Sequence, residues 1–201
     1  FLLCAISLAL GQSAYAACGG TERQWLDPSS NNWNTDSNWD TGNRPDTTSE
    51  DATVISAERP LAMRGYSIGC LNNISGRLRC RNATTVLEIT GDYFRNLTAG
   101  SMQFCDAASG RNFTLKMGGS SAQTLENVDE IINVEIGNDS TVAITNAFTV
   151  GESLTFTSGW MGTLRIQDDL TLADGTFTLT IPSGGEVIVE SGAKLDLAGN
   201  L

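Results

Sequence analysis

The C-terminal half of the chain repeats itself, and the period limits the folds open to it. Apolar pairs separated by one residue recur as Val142-x-Ile144, Phe148-x-Val150 and Leu154-x-Phe156, then as Leu164-x-Ile166, Leu170-x-Leu172 and Phe177-x-Leu179. A third set begins with Val187-x-Val189 and Leu195-x-Leu197. Equivalent positions lie 22 and then 23 residues apart, from Val142 to Leu164 to Val187, and Asn146, Asp168 and Ser191 fall in register as turn residues. Alternation of inward and outward side chains is the mark of a strand, and no helical spacing competes with it here. Three short strands in each repeat of about 22 residues predict an all-β, three-sided parallel β-helix, because one coil cannot bury its own interior and must share it with stacked neighbours. A β-sandwich is the alternative, since it too has short strands and frequent turns. Leu87-x-Ile89-Thr90-Gly91-Asp92-Tyr93 resembles Val142-x-Ile144-Thr145-Asn146-Ala147-Phe148, so the pattern is expected to start earlier, in less regular coils.

Charge narrows the chemistry. The chain has 201 residues, no histidine and a net charge of -11. The absence of histidine excludes a Ser-His-Asp or Cys-His pair and a His-ligated zinc. The acidity argues against nucleic acid and anionic membranes. It is also uneven, with net -5 over residues 19–57, +4 over 58–116 and -10 over 117–201.

Residues 1–16 read as a signal peptide truncated at its start: an apolar run, Phe1 to Leu10, is followed by Ala14-Tyr15-Ala16, a small-residue cleavage site. Residues 17–57 read as an N-terminal cap, and 58–201 as a β-helix that is incomplete at its C-terminus. With Cys4 removed alongside the signal, Cys18, Cys70, Cys80 and Cys105 remain, an even number suited to two disulfides in an oxidising compartment. Three connectivities are open; one pairs Cys70 with Cys80 locally and Cys18 with Cys105.

A solenoid's end rung exposes backbone edge and apolar interior, and a cap is expected there. Trp25, Trp33 and Trp39, followed by Pro45, Asp51 and Val54, supply it, with Val54 and Ile55 entering the sheet. The string Trp25-x7-Trp33-x5-Trp39-x5-Pro45-x5-Asp51-x2-Val54 resembles the tryptophan-rich N-terminal motif of bacterial secreted β-helix proteins of the autotransporter-passenger type. Gly118 to Leu125 is similar to a G-x-x-x-Q-T-[IL] element of the same proteins. The resemblance implies a right-handed parallel β-helix at a cell surface with adhesive or structural roles, and it carries over no catalytic residues.

Several residues are candidate sites. Asp36, Asn38 and Asp40 alternate oxygen ligands as calcium loops do, although the glycine and glutamate of an EF-hand are missing; calcium is the one cofactor suggested. Arg77, Arg79 and Arg81 alternate, share one face of a strand, and would suit an acidic glycan. Asp168-Asp169 would be the acids of a glycan-active site, and the Thr155/Thr157 and Thr176/Thr178/Thr180 rows would suit ice. Asn-x-Ser/Thr triplets stand at Asn73, Asn82, Asn96, Asn112 and Asn138. The reading that emerges is an exported, structural or adhesin-like surface module rather than an enzyme. Its partners would be host or matrix glycans and proteins or further copies of itself, without nucleic acid or membrane insertion. A carbohydrate-binding or carbohydrate-active β-helix is the alternative, and an ice-binding or self-assembling solenoid comes third.

Overall fold

The computed structural model describes residues 18–26, 32–55, 61–62, 65–80, 84–103, 105, 109, 111–174 and 179–197. The expected signal peptide, Arg81, Asn82, Thr176, Phe177 and Thr178 lie outside the described residues. The chain winds as a β-solenoid of roughly 23 residues per coil.

The first face stacks β1 (Thr21–Gln24), β2 (Glu50–Val54), β5 (Leu71–Asn73), β8 (Tyr93–Asn96), β11 (Gln123–Asn127), β13 (Thr141–Ile144), β15 (Thr163–Ile166) and β17 (Glu186–Val189). A second sheet orders β4 (Ser67–Ile68), β7 (Thr85–Ile89), β10 (Phe113–Met117), β12 (Ile131–Ile136), β14 (Phe148–Phe156), β16 (Leu170–Leu172) and β18 (Leu195–Leu197). A third, short sheet holds β3 (Leu61–Ala62), β6 (Leu78–Arg79) and β9 (Met102–Gln103). β14 is long: its residues 153–156 pair with β12 and its residues 148–150 with β16, and Val150 also pairs with Ile131 of β12 across a register shift. Among the described residues every strand pair is parallel, which excludes the sandwich; the isolated Trp25–Trp39 bridge is antiparallel.

Register follows the sequence period where that period is regular. Val142 pairs with Leu164 and Leu164 with Val187; Phe148 pairs with Leu170 and Leu170 with Leu195. The earlier likeness of Leu87-x-Ile89 to Val142-x-Ile144 is misaligned by one side, because Leu87 lies on the β10–β12 face and Val142 on the β11–β15 face. A strand–turn–strand unit reads the same at every corner of a solenoid, so local similarity does not say which corner it is.

Inward residues form continuous apolar columns: Leu87, Leu115, Val134 and Leu154 on one face, and Leu125, Ile144 and Ile166 on another, all buried. Each such side chain contributes about 1.5–3 kcal/mol by burial. At β17 and β18 the inward Val187, Leu195 and Leu197 are only half-buried.

Between these columns runs a polar one. Asn73, Asn96 and Asn127 occupy equivalent positions at the end of the first face and are fully buried. The Asn73 amide donates to Asn96 Oδ1 (2.7 Å), and the Asn96 amide donates to Asn127 Oδ1 (2.9 Å). Gly76 N closes the turn onto Asn73 Oδ1 (3.0 Å), and Ser101 Oγ donates to Asn96 Oδ1 (2.6 Å). Asp129 accepts from Gly100 N (2.6 Å), Met102 N (2.9 Å) and the Asn96 amide (3.2 Å). The ladder satisfies corner groups that the apolar interior would otherwise strand. At the opposite end of this face the Gln123 amide donates to Ile89 O (2.9 Å) and Gly91 O (2.6 Å), and Asn138 donates to Gln123 Oε1 (2.9 Å). Trp160 Nε1 continues that column onto Asn138 O (2.6 Å), and Gly185 lies so close to the Trp160 ring that a Cβ has no room.

The disulfides are Cys18–Cys70 and Cys80–Cys105, with Cα–Cα distances of 6.1 and 5.2 Å. This corrects the local Cys70–Cys80 pairing. Cys70 sits at the start of β5 and Cys80 follows β6, on different faces, whereas Cys80 and Cys105 lie one coil apart beside the paired β6 and β9. Stacking, rather than nearness in sequence, selects the partner.

Replacing Asn96 with Ala leaves the buried Asn73 amide, Asn127 Oδ1 and Ser101 hydroxyl each short of a partner. At roughly 1 kcal/mol or more for each stranded group, Asn96→Ala is expected to lower stability by about 3 kcal/mol. Urea unfolding checks this as a lower midpoint with an unchanged m-value.

Candidate functional site

The cap is built by its indoles. Trp25, Trp33 and Trp39 are buried, with Trp39 edge-on to Trp25 (5.2 Å) and to Trp33 (5.0 Å). Trp33 Nε1 donates to Pro45 O (2.9 Å), and Trp39 Nε1 donates to Trp33 O (3.0 Å). Trp33 also packs on Tyr66, just ahead of the edge strand β4, and Tyr66 Oη donates to Asn34 Oδ1 (2.8 Å). The indoles thus cover the β4 end of the stack. Val54 is buried in β2, but Ile55, expected to enter the sheet beside it, turns outward.

Asp51 pins the entrance. Its carboxylate accepts from Gly20 N (3.0 Å) and Cys70 N (2.8 Å), and a Cβ on Gly20 or Gly69 would collide with it. Burial raises the Asp51 pKa, the two backbone donors oppose the rise, and Glu22 and Asp92 add to it. Its neighbour Glu50 goes the other way. Burial pushes the Glu50 pKa up, but bonds from Arg23, Asp46 N and Thr47 outweigh that and leave it below its ordinary value.

Each calcium candidate has a protein partner. Asp36 pairs with Arg44 (2.9 Å), the Asn38 amide donates to Asn32 O (2.9 Å), and Asp40 Oδ1 accepts from Gln24 N (3.0 Å). Among the described residues, Cys18, Asp51 and Cys70 bring three potential ligand atoms within 4.8 Å, but both sulfurs are committed to the disulfide. Arg77 and Arg79 flank the buried Leu78 and point outward, Arg77 exposed and Arg79 half-buried. Asp168 is an exposed corner residue whose carboxylate accepts from Asp169 N (2.8 Å). Asp169 shares a shallow groove of about 250 Å³ with Asp129 and Glu130. The Asp129 carboxylate there is held by the corner amides described above. Thr155 is exposed and Thr157 half-buried.

Two surface features were not anticipated from sequence. The first is an aliphatic ridge on the corner that follows the first face. Leu26, Ile55, Ile74 and Leu97 are 51%, 41%, 40% and 44% exposed, and they follow Trp25, Val54, Asn73 and Asn96, which stack on one another. Val128 continues the line after Asn127. Rungs about 4.8 Å apart make this a nearly straight row. Alternating "Asn then aliphatic then Ser/Thr" was the available signal, at Asn73-Ile74-Ser75 and Asn96-Leu97-Thr98. The second is a groove of about 430 Å³ lined by residues 154–159, Thr180 and Pro182, where Phe156 stacks on Trp160 at 4.3 Å.

Outward side chains elsewhere pair across rungs. Lys116 lies between Glu88 (3.2 Å) and Glu135 (3.8 Å), Arg95 pairs with Glu126, and Arg165 with Glu190 (2.8 Å). No described helix is long and apolar enough to cross a membrane. The chain matches no protein-family model, no curated protein and no solved structure.

The two cap carboxylates predict opposite responses to pH. A lowered folded pKa stabilises above the ordinary value and is lost as pH falls through the folded one, so Glu50→Gln should flatten the acid limb of the melting curve. A raised folded pKa is a penalty that grows as pH rises from the ordinary value through the folded one. Relative to wild type, Asp51→Asn should therefore fare better near neutral pH than near pH 4, after allowance for its weaker bond to Gly20 N or Cys70 N. Thermal melts of both variants from about pH 3 to 8 check the signs.

Proposed function

We propose that the chain is an exported, adhesin-like structural module: a rigid, disulfide-supported solenoid that presents a long side to surface glycans or proteins of a host or matrix. The aliphatic ridge carries this reading, since it distributes contact along the axis instead of collecting it in one pocket. The capped entrance, both disulfides and the rung-to-rung ion pairs support a stiff display role. The likeness of the Trp25–Val54 string to bacterial secreted β-helix proteins agrees with export to a cell surface.

A second reading is carbohydrate binding, favoured by the hydroxyl-rich groove beside Phe156. Sugars use an apolar ring face together with polar edges, and Thr155, Thr157, Ser158 and Thr180 supply the latter.

One experiment separates the two. Immobilised protein is screened against matrix proteins and a glycan array, with and without calcium, as wild type, as Ile74→Asp/Leu97→Asp and as Phe156→Ala. The adhesive reading expects the ridge variant to lose about tenfold or more in binding with its melting temperature nearly unchanged, at roughly 1 kcal/mol for each aliphatic contact removed. Saccharide binding lost only in Phe156→Ala would replace it with the groove reading.

A further inference from the structure

The five Asn-x-Ser/Thr triplets look like acceptors for N-linked glycan, and such triplets ordinarily stand on surface loops. Three of them do not. Asn73, Asn96 and Asn138 are 0% exposed. Their amide hydrogens are already spoken for. Asn73 donates to Gly76 O (3.1 Å) and Asn96 Oδ1, Asn96 to Asn127 Oδ1 and Asp129 Oδ2, and Asn138 to Ser121 O (2.5 Å) and Gln123 Oε1.

The rest of the triplet is structural too. The middle residue of the first two is a ridge aliphatic, Ile74 or Leu97. The hydroxyl then reaches down one coil, Ser75 Oγ to Ile55 O and Thr98 Oγ1 to Ile74 O (3.0 Å). Buried amide, outward aliphatic and hydroxyl clamp together form a corner unit that happens to spell a glycosylation signal. Asn112 differs: it is exposed, ahead of β10, with a long amide contact to Thr84 Oγ1 (3.4 Å).

We infer that Asn73, Asn96 and Asn138 are closed to N-glycosylation in the folded chain, that Asn112 is the described position able to carry a glycan, and that the chain is made for an export route that leaves such triplets unmodified. In the modification, a polyprenyl-pyrophosphate-linked oligosaccharide gives its C1 to Asn Nδ2. The C1–O bond to pyrophosphate breaks, the amide loses one proton, and the lipid pyrophosphate leaves. The enzyme acts on chain that has not yet folded, so at Asn73 or Asn96 it would consume a hydrogen the ladder needs and place a bulky polar group where the core closes.

The full chain is exported to a bacterial periplasm and, in parallel, through the secretory route of an N-glycosylating eukaryotic cell. Each route also carries Ser75→Ala/Thr98→Ala/Ser140→Ala, which keeps every asparagine and removes three signals. From the periplasm, both proteins are expected to be soluble with melting temperatures within several degrees, which shows that the variant folds. From the eukaryotic cell, secreted soluble wild type is expected at least tenfold below the variant. Mass spectrometry after glycan release in heavy-oxygen water should place glycan on Asn73, Asn96 or Asn138 only in the retained, insoluble fraction, and on Asn112 in the soluble one. Soluble protein with both disulfides, a native strand spectrum and glycan on any of the three would overturn the inference. Equal secretion of wild type and variant with those three sites occupied would do the same. Soluble protein bearing no glycan at Asn112, from cells that modify the other three in the insoluble fraction, would overturn that assignment.

Discussion

Every corner of a stacked coil turns backbone amides and carbonyls away from the sheet ladders that satisfy them elsewhere, and these corners border a dry interior. Where a corner is buried, as in the N-terminal coils, water does not reach these groups, and an apolar side chain cannot answer them. The Asn73–Asn96–Asn127 ladder meets that constraint by passing one amide per rung to the rung above, while Gly76, Ser101 and Asp129 tie off the loops beside it. The ladder also fixes register, because a one-residue slip would bring an aliphatic from the ridge into line with an asparagine. Sheet, ridge and disulfide geometry all inherit that register. Cys80 meets Cys105 because β6 and β9 are aligned, and Ile74 follows Ile55 on the ridge because Asn73 lies over Val54.

The column changes character along the axis. From Val54 and Asn73 to Asn127 it is buried, but Asn146 is half-buried and the equivalent Asp168 is exposed. The N-terminal coils are therefore closed at this corner by an internal polar spine, and the C-terminal coils by solvated turns. The cap belongs to the first regime. Three indoles, Tyr66 and the Asp51 clamp close the entrance where the coils are most irregular, whereas the regular coils beyond β13 rely mainly on their apolar columns.

That division accounts for what the sequence made visible. The Val142–Leu164–Val187 spacing was readable because those coils have short, equal corners, and the observed pairing follows it residue for residue. The packing of Trp25, Trp33 and Trp39 on one another was readable because large indoles in a polar stretch bury best against each other. Earlier coils obscured their own period. Asn73 to Asn96 spans 23 residues, but Asn96 to Asn127 spans 31, since that coil lengthens the connection between β9 and β10 and the one between β10 and β11. The ladder itself was hidden by resemblance to something else: Asn-x-Ser/Thr reads as a surface signal, and only stacking shows the amides turned inward. The disulfide partners were hidden for a related reason, since Cys80 and Cys105 stand about one coil apart in sequence and Cys18 and Cys70 are 52 residues apart. The calcium reading followed alternating oxygens, and in the structure each of those residues has a protein partner: Asp36 with Arg44, Asn38 with Asn32 O and Asp40 with Gln24 N.

The central claim is that a buried side-chain amide ladder holds the N-terminal coils in register. Hydrogen exchange of individual asparagine side-chain amides, followed by NMR on the folded protein, tests it most directly. The account predicts that the Nδ2 hydrogens of Asn73, Asn96 and Asn127 exchange several orders of magnitude more slowly than those of the exposed Asn34 and Asn43, and together with the core amides of β5, β8 and β11. Side-chain amides of the three that exchange as fast as those of Asn34 and Asn43, while the strand amides stay protected, would contradict it.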